Sequence, residues 1–384
     1  MSNNNSTRAG RYEQQREGFS AFIPNPLPPN PRIRFTNTLQ NALSQADRAL
    51  ARLDGAVQIL PKQVPLVDMY IRHEAVLSSK ISGKQSSLLD LLAHQAQISA
   101  HEYGGDVNEV IDCVSAMKIG FEQIEHTSVS IPIIREIHKR LLQSTNKPNH
   151  TPGEIRTTQN WIGPPGCGIN DAIFIPPPPS QIEQCLQDLD QFVECDIGLP
   201  VLVKIGLVYA QFETIHPFSV GNGRVGRLIV TLLLQESNLL KQPILNLSWF
   251  FYRHRQQYYS KLQCVRDDGN WEDWLLFFLK AVEEVSRNST ATLRRILLLR
   301  EESRNSINMN LGRLATNAHS VLDSLFEFPF VSVNEVKELT GTTFAAANTL
   351  AARMVECRLL REYTQRRRNR RYMFNRYVEL FKED

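Results

Sequence analysis

The sequence predicts a mainly α-helical protein: a helical core interrupted by one short β-hairpin flap, followed by a C-terminal winged helix-turn-helix unit. Three observations predict this. Apolar residues recur at spacings of three and four from Thr36 through most of the chain. β-type residues flank a single Gly/Pro-rich turn, in "QNWIG" and "AIFIPPP". Near the end, a capping box at "SVNE" opens the order helix, turn, helix, strand, basic turn, strand.

The elements follow in order. The first 18 residues are polar and "AFIPNPLPPNPRIRF" is proline-rich, so residues 1–35 are expected to be extended or disordered over a folded body. Leu39, Leu43, Ala46, Leu50 and Leu53 then form one stripe of an amphipathic helix. A second helix, from Val64 to Lys80, stops at Gly83. Helical patterns continue through "VNEVIDCVSAMKIGFEQI" and "IPIIREIHKRLLQS" and break at the Gly/Pro-rich flap. They resume at Gln181. Val201, Ile205, Val208, Phe212 and Ile215 lead into "HPFSVGNGRVGR", and Val225, Leu228, Ile229 and Leu232 lead out of it, so that motif joins two helices. "NWEDWLLFFLKAVEEVSRN" and a charged helix through "LRRILLLREESR" precede the winged unit.

At 384 residues the chain has room for two or three domains. Its six cysteines lack the paired spacing of a zinc site and the density of a secreted disulfide scaffold. No stretch resembles a signal peptide or a membrane span, so a cytoplasmic location and no membrane partner are expected. The net charge of +3 is too small to imply nucleic acid by itself. Its distribution is uneven, with nine arginines against two glutamates between Arg353 and Arg376.

In the motif, Pro217 disfavours a helical conformation for His216, which ends the incoming helix and presents an imidazole there. Gly221 and Gly223 permit backbone conformations in which successive N–H groups converge on an anion at the next helix N-terminus. Arg224 and Arg227, one turn apart, reach further charged oxygens. Each part alone has a plainer reading: a structural histidine, a tight turn, a solvated arginine face. Together, within twelve residues, they describe a di- or triphosphate cradle with a base at its mouth. Walker loops and dinucleotide fingerprints follow a β-strand, and this motif does not.

"HPFSVGNGRVGR" resembles the signature of the Fic family: His-Pro-Phe, any residue, an acid, Gly-Asn-Gly-Arg, two of any kind, Arg. The likeness extends to "AGRY…AFIPNPLPP", "EAVLSSKISGKQSS", "PGEIRTTQNWIG…AIFIPPPP" and "YYSKLQCVRDDGNWEDWLLFFL". The resemblance implies a helical Fic core at 116–285, preceded by a helical region with an inhibitory-type helix at 36–115 and followed by a linker helix and winged helix-turn-helix domain at 286–384. It implies transfer of AMP from ATP to a Ser, Thr or Tyr hydroxyl of a target protein or of the chain itself. His216 would then act as general base. Asn222 with the Gly221 and Gly223 amides would hold the α-phosphate region, and Arg224 and Arg227 the β- and γ-phosphates. Gln159, Asn160, Trp161 and Ile162 resemble the flap that aligns a target by strand addition. Tyr258 and Tyr259 would border the nucleoside. Phosphate-transferring Doc-type relatives carry lysine where Gly223 stands, and many relatives dimerise, so a homodimer is an expectation.

Two positions depart from the pattern. Val220 replaces the acid that in relatives holds Mg²⁺, and valine offers a metal no ligand atom. Ser82 replaces the glutamate of the inhibitory motif, which in this chain reads "SSKISG" from Ser78 to Gly83. That glutamate in relatives pairs with the second arginine, here Arg227. The expectation is a weakened brake together with a weakened metal site, giving either a slow transferase or a nucleotide-binding pseudoenzyme. A helical scaffold with a DNA-binding wing is the further alternative. If DNA is the partner, Asn348, Arg353, Arg366, Arg367 and Arg368 are the expected contacts; a solvated hairpin or a protein-docking surface is the other reading of the wing.

Overall fold

The computed structural model describes residues 7–58, 66–98, 106–145, 150–364, 366 and 368–382. Fifteen α-helices and five short strands are formed among them.

The chain opens with β1 (Gly10–Gln14) and β2 (Ser20–Pro24), paired antiparallel with Tyr12 opposite Phe22. Of the segment 1–35 expected to be extended or disordered over a folded body, residues 10–24 are extended and paired as this hairpin, and 1–6 lie outside the described residues. Within the proline-rich stretch β2 buries three apolar side chains, Ala21, Phe22 and Ile23. Phe22 N–H also donates to Ile175 C=O (2.9 Å), and Arg8 pairs with Glu272 (2.8 Å), so the hairpin is tied to the body at both ends.

α1 (Asn37–Gln58) lies along α11 (Trp271–Asn310), its buried side chains on the predicted stripe. The sequence reading made two helices of what is one 40-residue helix, which also runs through the expected domain boundary at 285/286. "RNSTATLRR" contains neither Gly nor Pro, and the hydroxyl of Thr290 bonds back to Ser286 C=O (2.8 Å), so the polar stretch does not break it.

α2 (Val67–Ile81) is buried on nearly every face, against α3 (Leu88–Gln95), α4 (Val107–Ile124), α8 (Asn222–Glu236) and α9 (Leu247–Arg253). It stops where Gly83 adopts φ +90°, as expected; residues 59–65, which hold the predicted start, lie outside the described set. α5 (Ile131–Leu141), α6 (Pro179–Glu194), α7 (Val201–Ile215) and α10 (Arg255–Asp268) complete the core, with α7 against α8 at its centre. Between α5 and α6 the expected hairpin is reduced to one bridge, Ile162 opposite Phe174, with a 3-10 turn at Ile169–Asp171. Pro164, Pro165 and the run Pro176–Pro179 remove the donors that a longer ladder needs.

After α11 come α12 (Ala315–Glu327), β3 (Phe330–Ser332), α13 (Val333–Thr340), α14 (Phe344–Glu356), β4 (Arg361–Glu362), β5 (Arg371–Met373) and α15 (Asn375–Val378). The three strands form one antiparallel sheet in the order β3-β5-β4. The predicted capping box is present: Glu335 N–H donates to Ser332 Oγ (3.1 Å), and Ser332 N–H to Glu335 Oε2 (2.6 Å). Beyond α15 the chain turns back onto α2, where Phe381 packs edge-on against Tyr70 at 5.2 Å.

Candidate active site

α7 ends at Ile215 because Pro217 cannot continue a helix, and His216 caps it in the left-handed region (φ 49°, ψ 58°). A histidine there is strained and persists only where its surroundings enforce it. They do. The buried guanidinium of Arg156 donates from Nε to His216 C=O (3.0 Å), and Arg156 N–H donates to Pro217 C=O (3.0 Å). Phe218 is fully buried, stacked on His138 with ring centroids 3.7 Å apart. Gly153 N–H donates to His138 Nδ1 (3.0 Å), which leaves Nε2–H to donate to Val220 C=O (3.0 Å). His138 therefore pins the loop at Val220 from below, and burial keeps it neutral by lowering its pKa to about 4.

The second half of the loop is closed by Asn222, 1% exposed. Its Oδ1 accepts from Phe218 N–H (2.8 Å) and its Nδ2 donates to Phe218 C=O (2.8 Å). The sequence reading put Asn222 among phosphate contacts; in the folded loop its amide also bonds Phe218 from both ends, which shapes the turn. Gly221, at φ +83°, caps the N-terminus of α8, and a Cβ there would come within 3.3 Å of Leu141 Cδ2. The first bond of α8 runs from Val225 N–H to Gly221 C=O, so the amides of Asn222, Gly223 and Arg224 form its open N-terminal turn.

Around that turn, buried polar atoms lack partners. Arg224, 7% exposed, leaves Nε and Nη1 without a hydrogen bond; Glu109 Oε2 lies 3.7 Å from Nη1, an ion pair too long for one. Ser219 Oγ and His216 Nδ1 are also unsatisfied. Unpaired buried donors are costly, and an anion at this turn would satisfy Arg224. His216 itself is neutral: burial, then the nearby cations Arg266 and Arg156, push its pKa down to about 3.

Arg227 is held from the opposite side. Its Nε donates to Ser78 Oγ (2.9 Å) and its Nη2 to Ser78 C=O (2.9 Å), with Ser82 Oγ at 3.5 Å. Burial alone would lower its pKa, but the oxygens of Tyr209, Tyr258 and Glu213 outweigh burial and keep it charged. A Cβ on Gly223 would come within 3.1 Å of Arg227 Nη1, so glycine there lets the guanidinium cross the start of the helix. Tyr258 is buried, its hydroxyl 2.7 Å from that of Tyr209, while Tyr259 is 43% exposed. Neighbours in a helix face apart, and only Tyr259 reaches the surface.

The flap meets the loop through Asn160, whose Nδ2 donates to Phe218 C=O (3.0 Å). Gln159 Nε2 donates to Pro176 C=O (3.0 Å), Trp161 Nε1 to Cys167 C=O (3.0 Å), and Ile162 makes the bridge. Arg156, His138 and Glu109 were missed by the sequence reading. Arg156 stood inside the "PGEIRTTQNWIG" segment, but nothing in local spacing links it to a loop 60 residues away.

The profile described as the Fic/DOC family N-terminal region matches residues 40–122, and that of the Fic/DOC family matches residues 128–234. The chain belongs to the Fic family. Among curated relatives, protein adenylyltransferase fic-1 of Caenorhabditis elegans is 25% identical over 224 residues, 57% of this chain and 39% of its own length. The probable protein adenylyltransferase aq_aa38 of Aquifex aeolicus is 33% identical over 95 residues, 25% of this chain and 27% of its own length. The chain thus spans about two-fifths of fic-1. In fold, a Fic family protein from Desulfovibrio desulfuricans G20 superposes with a TM-score of 0.57 at 17% identity, covering 89% of this chain and 97% of that one. A Fic domain containing signaling protein from Bacteroides thetaiotaomicron gives 0.51 at 14% identity, covering 67% and 95%.

For this Fic chain the residues at the loop do not fit a protein-held Mg²⁺. Val220 offers no side-chain oxygen, and its carbonyl already accepts from His138 Nε2–H. Glu213, the nearest acid in sequence, turns towards α8: its Oε1 would lie 2.8 Å from a Cβ on Gly226. No group of three or more metal-ligating side chains occurs among the described residues. Nor, among them, is any helix long and apolar enough to cross a membrane.

In the C-terminal unit, Asn348 Oδ1 accepts from Arg370 Nη2 (2.8 Å) and Arg353 pairs with Glu356 (2.6 Å), so two of the expected DNA contacts are engaged within the chain. Arg366 and Arg368 stand on the turn between β4 and β5; Arg367 lies outside the described residues.

Proposed function

We propose that this Fic chain is a protein adenylyltransferase that moves AMP from ATP to a Ser, Thr or Tyr hydroxyl of a target protein or of itself. The observation that carries the reading is the pairing of a neutral His216 at the end of α7 with the open first turn of α8 and the unsatisfied donors of Arg224. The acceptor hydroxyl oxygen attacks the α-phosphorus, its proton passes to the His216 imidazole, and the bond from that phosphorus to the bridging oxygen breaks. Pyrophosphate leaves, its charge met by Arg224, Arg227 and the helix N-terminus. The flap, with Asn160 fixed to the loop and Trp161 exposed, is the proposed docking edge for the target segment.

The missing carboxylate at Val220 and the bonds from Arg227 to α2 favour slow turnover, and nucleotide binding without transfer is the second reading. ATP labelled at the α-phosphate separates them. Wild type is expected to label itself or a lysate protein, and His216→Ala to lose about 10²-fold or more of that label while binding ATP normally. Equal labelling by both sinks the transfer reading; binding with no label from wild type leaves the second.

A further inference from the structure

Pro217 does more than end α7: it orphans a carbonyl. In an uninterrupted helix the N–H of residue 217 would bond Glu213 C=O, four residues back, and proline has none to give. The preceding carbonyl, of Phe212, still accepts from His216 N–H (3.0 Å). The orphan is met from α10 instead, where Arg266 Nη2 donates to Glu213 C=O (3.1 Å). Nε of the same guanidinium donates to Thr214 Oγ1 (3.3 Å), so one side chain holds the last turn before His216 at two points. A cation at a helix C-terminus also suits the helix dipole.

The flat face of that guanidinium lies on the flap. Its central carbon stands 3.8 Å from the centroid of the Phe174 ring, and Phe174 is the residue that bridges Ile162. Both side chains are buried. Arg266 has no salt bridge among the described residues; its remaining bond, from Nη1, goes to Gln263 Oε1 (3.2 Å) within α10. Burial lowers its pKa to about 10, which leaves it charged at neutral pH, and a buried cation without a bonded carboxylate is costly. An apolar side chain would fill the space without that cost. What only a guanidinium provides is a plane for an aromatic ring together with edge donors for a carbonyl and a hydroxyl.

We propose that Arg266 is a positioning residue that fixes the flap relative to His216. Its plane stacks on the flap and its edge caps the helix that carries the base, so a single rigid group sets the spacing between the docking edge and the imidazole. Arg156 meets the flap at its stem, through Thr158 C=O (3.2 Å), and Arg266 meets it at the bridge. Among the described residues no hydrogen bond of Arg266 goes to α8, so the anion-binding turn is outside its reach. Its effect on transfer rests on the transferase reading; its hold on flap and helix does not.

The test compares Arg266→Met, Arg266→Lys and Phe174→Leu in the full chain, each checked for folding by circular dichroism. Amide hydrogen exchange reads the geometry. Arg266→Met is expected to speed exchange about tenfold or more both in the flap, 159–176, and in the last turn of α7, 212–216. Phe174→Leu is expected to speed it in the flap alone. Lysine keeps a donor and loses the plane, so Arg266→Lys is expected to resemble Phe174→Leu. With ATP labelled at the α-phosphate, Arg266→Met is expected to lower kcat for label transfer about tenfold or more while the KM for ATP stays within about twofold. If Arg266→Met does not fold, Arg266→Lys and Phe174→Leu carry both comparisons. Flap exchange unchanged in Arg266→Lys and Phe174→Leu overturns the proposal, as does a KM for ATP that rises in step with the loss of kcat. No label from wild type overturns the transferase reading alone, and the exchange comparison then decides this one.

Discussion

His216 owes its position to Arg156 and its protonation state to burial, and the two lead to separate expectations. A histidine whose pKa is pushed down to about 3 is already neutral at every pH near the physiological range. Protonation of the base in the free protein therefore gives no acid limb down to about pH 5, where an unperturbed histidine would give one near 6.5. Labelling rates at subsaturating ATP, measured at constant ionic strength, are expected to show none; an acid limb centred near 6.5 that vanishes in His216→Ala would contradict the buried, cation-flanked setting. At this scale the site was legible where chemistry is written in consecutive residues. His216, Pro217, Gly221, Gly223 and the two arginines punctuate the chain, and backbone rules turn that punctuation into a loop between two helices. Asn222 was legible as part of the motif but its bonds to Phe218 were not, because only the folded loop brings Phe218 N–H and C=O to its amide. His138 was not legible at all: its partner Val220 is 82 residues away.

α2 and the motif loop are the two elements on which the proposed activity turns. Ser78 gives Arg227 two hydrogen bonds and Ser82 stands at 3.5 Å, so the helix already holds the guanidinium without a carboxylate. Ser82→Glu places a full charge at that distance and is expected to cut labelling several-fold, as charge-assisted bonds outlast neutral ones. Ser78→Ala, which removes the Oγ acceptor, is expected to tighten ATP binding a few-fold. Unchanged labelling and affinity in both variants would mean that α2 does not restrain Arg227. In the loop, Val220→Asp is expected to create Mg²⁺-dependent labelling above the wild-type level, since His138 holds the backbone at position 220 by its carbonyl and the substitution leaves that bond in place. A Mg²⁺ titration at fixed ATP checks it; strong activation of wild type with no gain from the carboxylate would place the metal elsewhere. Elements with long apolar stripes, such as α1, α7 and α8, were legible because 3.6-residue periodicity survives in the sequence. β1 and β2 were not. They are five residues each, β1 mostly polar and β2 running into proline, and acquire their reason only when Phe22 finds the body of the protein.

Across the whole molecule, the pH dependence of stability is set by ionisable groups folded into the core in their neutral forms. His73 and His138 have pKa values lowered to about 4 by burial, and His216 to about 3. Unfolded, each titrates near 6.5, so between about pH 6.5 and 4 the unfolded chain binds protons that the folded one does not. Their contribution is complete above pH 6.5 and is lost as the pH falls. Glu74 works the other way. It is buried against Ser248, accepting from its hydroxyl and from its N–H (3.3 Å), and burial raises its pKa to about 7. Between about pH 7 and 4.5 the folded chain therefore holds a proton that the unfolded chain releases, and acidification through that window favours folding. Burial raises the pKa of Glu213 too, in the same direction. Carboxyl and imidazole terms thus partly cancel in the wild type. Glu74→Gln keeps a hydrogen-bonding side chain of the same shape beside Ser248 but removes the compensating proton. Its unfolding free energy is expected to fall more steeply than that of wild type from pH 6.5 to 5, by about 1.4 kcal/mol per pH unit, the slope of one proton. Urea unfolding at closely spaced pH values, with the urea dependence held common, measures the two slopes. Parallel curves would show that Glu74 is ionised in the folded protein, and that its contact with Ser248 outweighs the cost of burying its charge.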